Sequence, residues 1–162
     1  MNRPALCVAI VVSLLSACTL STVELAFGVV DLILQHKTAL QNIARIIKLS
    51  PAARSIRGER AQEQYSDAKN AYDRYLDIVI EAVIDGHTNK DLTPYVERIV
   101  TTTEAFVSTA RVMGEGQQRV ETLQLRQLPT RVPQGLLALP KQRRTEIVSE
   151  IEQLKWKSWD DL

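Results

Sequence analysis

Cysteine is nearly absent from this chain. Cys7 and Cys18 are the only two, so residues 19–162 carry no thiol. That excludes a disulfide framework and a thiolate zinc site for nine-tenths of the protein. Histidine is as scarce, with His36 and His87 alone. A zinc site or a Ser-His-Asp triad would need one of these two, and they are poorly placed for it: His36 falls in an apolar helical stretch and His87 in a polar turn. Glycine and proline number six each, and aromatic residues make up 5%. So few glycines and prolines disfavour a turn-rich β fold, and so few aromatics disfavour a sugar-binding cleft. Net charge is also low, at +1, which argues against nucleic acid as a main partner, since that chemistry asks for a strongly basic surface. No G-x-S-x-G, P-loop or H-E-x-x-H motif is present. Strand-type alternation of useful length, internal repeats and low-complexity tracts are lacking too.

What is there begins with an N-terminal segment of three parts. Met1-Asn2-Arg3-Pro4 is short and positive, and residues 5–15 (ALCVAIVVSLL) are uncharged and apolar. Eleven residues suit the core of a secretory signal and fall short of the ~20 needed to cross a bilayer as a helix. Leu15-Ser16-Ala17-Cys18 closes the segment. An ordinary signal-peptidase site after Ala17 would put the large Leu15 where a small residue is wanted.

Those four residues resemble the lipobox of bacterial lipoproteins: Leu, a small residue, Ala or Gly, then Cys. The resemblance covers residues 1–18 only. It implies acylation of Cys18 by fatty acids such as palmitate, with removal of residues 1–17 as signal peptide. Several acyl chains hold a protein stably at a membrane where one does not. Thr19 follows the cysteine where an inner-membrane lipoprotein tends to carry Asp, so the resemblance implies the periplasmic face of the outer membrane. The processed chain would lose Arg3 alone of its charges and keep 19 basic against 19 acidic residues.

Residues 19–162 read as helical. Ser21-x-x-Glu24 has the form of a capping box, and a first helix is expected over residues 22–49. Ala26, Val29, Ile33, His36, Leu40, Ile43 and Ile47 lie on one seam, with Leu25, Leu32, Ala39 and Ile46 beside it. Residues 25–34 are apolar nearly all round, which marks this helix as central, or as lying partly against a membrane or partner. Ser50-Pro51 ends it and starts a second helix, expected over residues 51–85 with a loosening at Gly58 and Gly86 as its C-cap. Ala61, Tyr65, Ala68, Tyr72, Tyr75, Val79 and Ala82 form its seam. Thr93-Pro94 repeats the starting signal for a third helix carrying Val96, Ile99, Thr103, Phe106, Ala110 and Met113. Gly114 and Gly116 end or bend it. Pro129, Pro133 and Pro140 set a linker, and a last helix over residues 141–158 places Ile147, Ile151 and Leu154 on a narrow stripe. The expected fold is all-α: an antiparallel bundle of three long helices with a C-terminal helical appendage. Residues 1–17 are the signal peptide, 18–128 the lipid-anchored bundle, and 129–162 the linker and last helix.

Several charge and aromatic patterns are candidate surfaces. Asp73, Asp77, Glu81 and Asp85 recur every four residues on the second helix, with Asp67 nearby. Like charges at that spacing repel, so the stripe is a solvated face relieved by Lys69 and Arg74, a contact for a basic partner, or a weak site for a divalent cation. Arg45, Lys48, Arg54, Arg57 and Arg60 surround the first interhelical turn, opposed by Glu59 alone. They read first as a solvated cluster that suits a helix C-terminus, with contact to anionic lipid headgroups or lipopolysaccharide phosphates as the alternative. Trp156 and Trp159, flanked by Lys155 and Lys157, are either a partner anchor or a lid on the bundle. The run Lys141-Gln142-Arg143-Arg144 reads as solvated linker.

The function expected is non-enzymatic, without cofactor or metal: an envelope lipoprotein that binds or positions a protein partner, with Asp73, Asp77, Glu81, Trp156 and Trp159 as candidate contacts. Leu136, Leu137 and Leu139 make the linker too apolar for a solvated strap and are expected to dock on the bundle, while the proline-set tail can reach outward, so that deleting residues 129–162 removes partner capture and spares helicity. Three other readings stand beside it: a lipid or small-ligand module with a cavity among Val29, Ile33, Tyr72 and Phe106, a toxin-neutralising partner, and a cell-wall hydrolase using a carboxylate pair.

Overall fold

The computed structural model describes residues 30–86, 90–114 and 125–162, and these form an all-α domain. Helix α1 spans Val30–Leu49, α2 Ile56–Asp85, α3 Thr93–Val112, α4 Gln134–Leu137 and α5 Lys141–Glu152. Single 3-10 turns cover Pro51–Arg54 and Leu125–Gln127. Among the described residues there is no strand, only an isolated antiparallel bridge between Asp91 and Arg131. None of the described helices is long and apolar enough to cross a membrane. The lipobox Leu15 to Cys18, the start of the first helix, Val29 and His87 lie outside the described residues.

The central element is α2, not α1. It packs against α1, α3, α4 and α5. Its seven seam residues are buried as the spacing predicts, and Ala71, Leu76, Ile78, Ile80 and Val83 are buried as well. Burial therefore runs nearly all round the helix between Tyr75 and Val83. Alanines at 61, 68, 71 and 82 let neighbouring helices come close, and the tyrosines between them fill the wider gaps. On α1, Ile33, His36, Leu40, Ile43 and Ile47 are buried, but Leu34, Ile46 and Leu49 are exposed. The apolar stretch 25–34 that marked the first helix as central, or as lying partly against a membrane or partner, falls half outside the described residues, and the described part of α1 has only one face covered.

The join between α1 and α2 is tighter than a helix restart at Pro51. Ser50 Oγ donates to Ile47 O at 2.8 Å and closes α1. A 3-10 turn follows, and Ser55 is the cap that starts α2, accepting from Gly58 N at 3.1 Å. Gly58 loosens nothing. It lies in the first turn of α2, where a Cβ would stand 2.3 Å from Ala53 O and 2.4 Å from Ala52 O. Glycine is needed there for close approach of two backbones. Gly58→Ala is expected to lower stability by ~2 kcal/mol through overpacking, read as a drop in the urea midpoint at unchanged slope.

At the other end of α2, Gly86 is the expected C-cap, with φ 70° and its N–H bonded to Ala82 O. Helix α3 begins where Thr93-Pro94 predicts, with Asp91 Oδ1 accepting from Thr93 N at 2.9 Å. It ends before Gly114, whose φ is 79°. The last helix stops at Glu152, six residues short of the predicted end, and an irregular segment carries both tryptophans.

That segment is core. Leu128, Val132, Leu136, Ile147, Ile151, Leu154, Trp156 and Trp159 are all buried with the residues of α1 to α3 in one cluster. Leu136, Leu137 and Leu139 dock as expected, but the last helix and the tryptophans do not reach outward: residues 128–162 wrap back onto α2. The stripe of Ile147, Ile151 and Leu154 supplies the contact, and the prolines direct the chain along the domain.

Candidate functional site

Four of the five candidate partner contacts meet at one seam, between the face of α2 and the segment after α5. The tyrosines of α2 organise it. Tyr72 stacks on Trp156 with ring centroids 4.4 Å apart. Tyr65 stands edge-on to Trp159 at 5.8 Å and to Phe106 at 5.6 Å, and lies 6.0 Å from Trp156. Tyr65 OH donates to Lys157 O at 2.8 Å, and Tyr75 OH donates to Pro129 O at 3.0 Å. Each phenol thus ties α2 to a different stretch of chain, and their bodies fill the core. Both tryptophans are buried, so they act here as a lid on their own domain.

The acidic residues flank that lid. Asp73 Oδ2 pairs with Lys69, and its Oδ1 accepts from Trp156 N at 3.4 Å. Asp77 pairs with Lys155 at 2.8 Å, and Lys155 also meets Glu152. These hydrogen bonds, to Asp77 first, hold the Lys155 ammonium above its ordinary pKa. Glu81 pairs with Lys90 at 2.8 Å and Arg74 at 3.8 Å, away from the tryptophans, and the Lys90 hydrogen bond holds its carboxyl below the ordinary range. The i to i+4 repulsion is therefore relieved by cations, one of them, Lys155, distant in sequence. Asp67 and Asp85 are exposed.

Behind the lid lies a buried polar contact. His36 on α1 and Tyr72 on α2 are hydrogen-bonded through Nδ1 and the phenol, with the rings edge-on at 5.9 Å. Burial pushes the Tyr72 phenol well above its ordinary pKa, so it keeps its proton. Tyr72 then donates and Nδ1 accepts, which leaves the imidazole proton on Nε2, where it has no hydrogen-bond partner. Burial alone lowers the His36 pKa from 6.5 to about 4. His36 is a neutral core residue near pH 7. Among the described residues, no three His, Cys, Asp or Glu side chains converge to hold a metal ion. Ile33, Tyr72 and Phe106, which a ligand cavity would use, are fully buried.

Two side chains do work the sequence pattern did not suggest. Arg144, read as solvated linker, donates to Val83 O at 3.0 Å and Ile84 O at 3.2 Å. Its guanidinium serves the open carbonyls at the C-terminus of α2, where a cation is favoured. It packs so closely on Gly86 that a Cβ there would lie 2.7 Å from its Nη1. Lys48 donates to Trp159 O at 2.9 Å and Asp160 O at 3.0 Å, fastening the end of α1 to the chain terminus. A basic residue near a helix end is visible in sequence. Which helix end or carbonyl it serves is not.

No protein-family model matches this chain, and neither the curated proteins nor the solved structures include one similar to it.

Proposed function

We propose that this chain is a lipid-anchored envelope protein that binds or positions a protein partner, without catalysis of its own. The observation that carries the reading is Leu15-Ser16-Ala17-Cys18 behind an eleven-residue apolar run. It goes with a domain whose described helices include none able to cross a membrane, so an acyl anchor at Cys18 would be its hold on the bilayer. Thr19 directs the reading to the periplasmic face of the outer membrane. The domain itself is an antiparallel bundle of α1, α2 and α3, with α5 and the segment after it packed on α2.

The partner surface in this reading is the acidic edge beside the tryptophan lid. Asp77 and Glu81 present partly exposed carboxylates, while Asp73, Trp156 and Trp159 hold the backbone beneath them in place. A basic partner surface would exchange with Lys155, Lys90 and Arg74 for these carboxylates.

Metabolic labelling with a fatty-acid probe tests the anchor: wild type is expected to take up label and Cys18→Ser to lose it. Unlabelled wild type, or label retained in the variant, overturns the anchor. Crosslinking in cells then tests the edge. The double variant Asp77→Lys, Glu81→Lys should lose its crosslinked neighbour while remaining labelled at Cys18. An unchanged crosslink pattern would remove the acidic edge as the contact.

A further inference from the structure

The second surface lies at the α1–α2 turn. Between Asp31 and Glu59 the chain carries Lys37, Arg45, Lys48, Arg54 and Arg57 and no acidic residue. In a chain whose charges otherwise balance, that is a long one-signed stretch. Two of the five cations turn inward to the C-terminal segment, Lys37 onto Gln153 O and Lys48 onto Trp159 O and Asp160 O. The other three stay at the surface. Arg45 reaches Asn42 Oδ1 at 3.5 Å, within its own helix, and none of the three is in an ion pair among the described residues.

Apolar exposure coincides with that charge. Leu49 and Ile56, on either side of the turn, are each 85% exposed, and Ile46 is 49% exposed. Single exposed aliphatics are ordinary. Here three of the six large exposed hydrophobics of the described residues flank one turn, among arginines. The turn also cannot fold them away. Ser50 and Ser55 bond back to Ile47 O and Ala52 O, and Gly58 is wedged against Ala52 and Ala53. Aliphatic tips projecting from a braced turn among unpaired cations fit the boundary between headgroups and acyl chains. Glu59 and Glu63 follow the turn in sequence on α2, and the backbone O of Asp160 takes Lys48.

We propose that the α1–α2 turn docks on an anionic lipid surface. Arg45, Arg54 and Arg57 take headgroup phosphates, and Ile46, Leu49 and Ile56 enter the interface. This deepens the anchored reading: a three-cation tip holds weakly alone and becomes effective once an acyl chain keeps the domain at the membrane, the two-signal arrangement of peripheral proteins. Reach permits it. The chain between Cys18 and Val30 spans at most ~40 Å, and the 20 residues of α1 extend ~30 Å, so either end of α1 can meet the bilayer that holds Cys18.

Co-sedimentation of the full chain carrying Cys18→Ser tests the tip apart from any acyl anchor. The vesicles are phosphatidylcholine with and without roughly a third phosphatidylglycerol. The parent is expected to prefer the anionic vesicles and to be released by about 0.5 M salt. Adding Arg45→Gln, Arg54→Gln and Arg57→Gln should weaken anionic partitioning by ~100-fold, at about fivefold per cation. A second variant, Leu49→Ser with Ile56→Ser, should weaken partitioning more than tenfold while keeping the salt response. Residues 1–17 are common to all three proteins, so their contribution cancels. Equal partitioning of parent and arginine variant overturns the proposal, as does equal binding to both vesicles. Arginine-dependent binding to a single-stranded oligonucleotide without vesicle binding overturns it in favour of a soluble polyanion. Fatty-acid labelling of wild type is untouched by any of these outcomes, so failure of the tip and failure of the anchor read separately.

Discussion

A chain ending at Pro140 is expected not to fold. Residues 141–162 contribute Ile147, Ile151, Leu154, Trp156 and Trp159 to the core, none more than 8% exposed. At ~1.5–3 kcal/mol for each large apolar side chain removed from water, their loss amounts to ~10 kcal/mol. Native domains are stable by only ~5–15 kcal/mol in total. The truncation also strips Tyr65 OH of its acceptor, uncovers the Tyr72 ring, leaves Lys48 at the end of α1 without its acceptors and removes Arg144 from the end of α2. Trp156→Ala alone should cost ~4 kcal/mol, the usual scale for a large aromatic truncated in a core. Lys157→Ala, at an exposed position next to Trp156 that keeps the carbonyl Tyr65 uses, should cost almost nothing. Trp156 and Trp159 are the only tryptophans, so intrinsic fluorescence reports this seam directly, and circular dichroism reports the helices. A truncated chain with native ellipticity and a cooperative melt would show that the last segment is an ornament on a self-sufficient core.

Acidification should destabilise the protein well above the usual range of acid unfolding. His36 is neutral and buried, with its pKa lowered to about 4 from 6.5 by burial. The unfolded chain takes up a proton as pH falls through about 6.5, and the folded chain does not until about 4. Stability from this group is therefore fully present above the unfolded value, declines across the window between the two, and levels off below the lower one. The loss between pH 7 and pH 5 is ~2 kcal/mol, and over the whole window ~3 kcal/mol. The carboxyls of Glu81 and Asp91, held low by Lys90 and Thr93 respectively, act in the same direction but at lower pH, so the upper part of the window belongs to the imidazole. Urea midpoints at pH 7, 6 and 5 measure it. In His36→Gln the midpoint should be lower at pH 7 but flat from 7 to 5. A variant as pH-sensitive as wild type in that range would place the effect elsewhere.

The seams were legible because helical spacing repeats locally: every described seam residue of α1, α2 and α5 is buried, and those of α3 through Ala110. The acidic stripe was legible as a pattern, and its purpose was not. Lys155 comes to Asp77 from across the fold and Lys90 comes to Glu81 from beyond the end of α2, and i to i+4 spacing carries no record of either. The rank of the helices was also hidden. Apolar content singled out α1, yet burial all round fell to α2, where Ile78 and Ile80 lie off the seam. Hydrophobicity states what a helix tolerates, while small residues such as Ala68 and Ala71 decide how many neighbours reach it. Gly58 reads as a weak point by propensity and is a close contact in space. Arg144 reads as solvent-facing because its acceptors, Val83 O and Ile84 O, are backbone atoms sixty residues away.

The three phenols of α2 bond to His36, Pro129 and Lys157, which come from near both ends of the chain. Such distant contacts close late and slowly. A chain emerging residue by residue could form α1 and α2 early, but the lid that shuts their core is made well after both. Until then Tyr65 and Tyr72 stand uncovered, and the polypeptide remains loose enough to be threaded or held by a chaperone. Emergence of residues 154–162 would then be the event that commits it to the folded state.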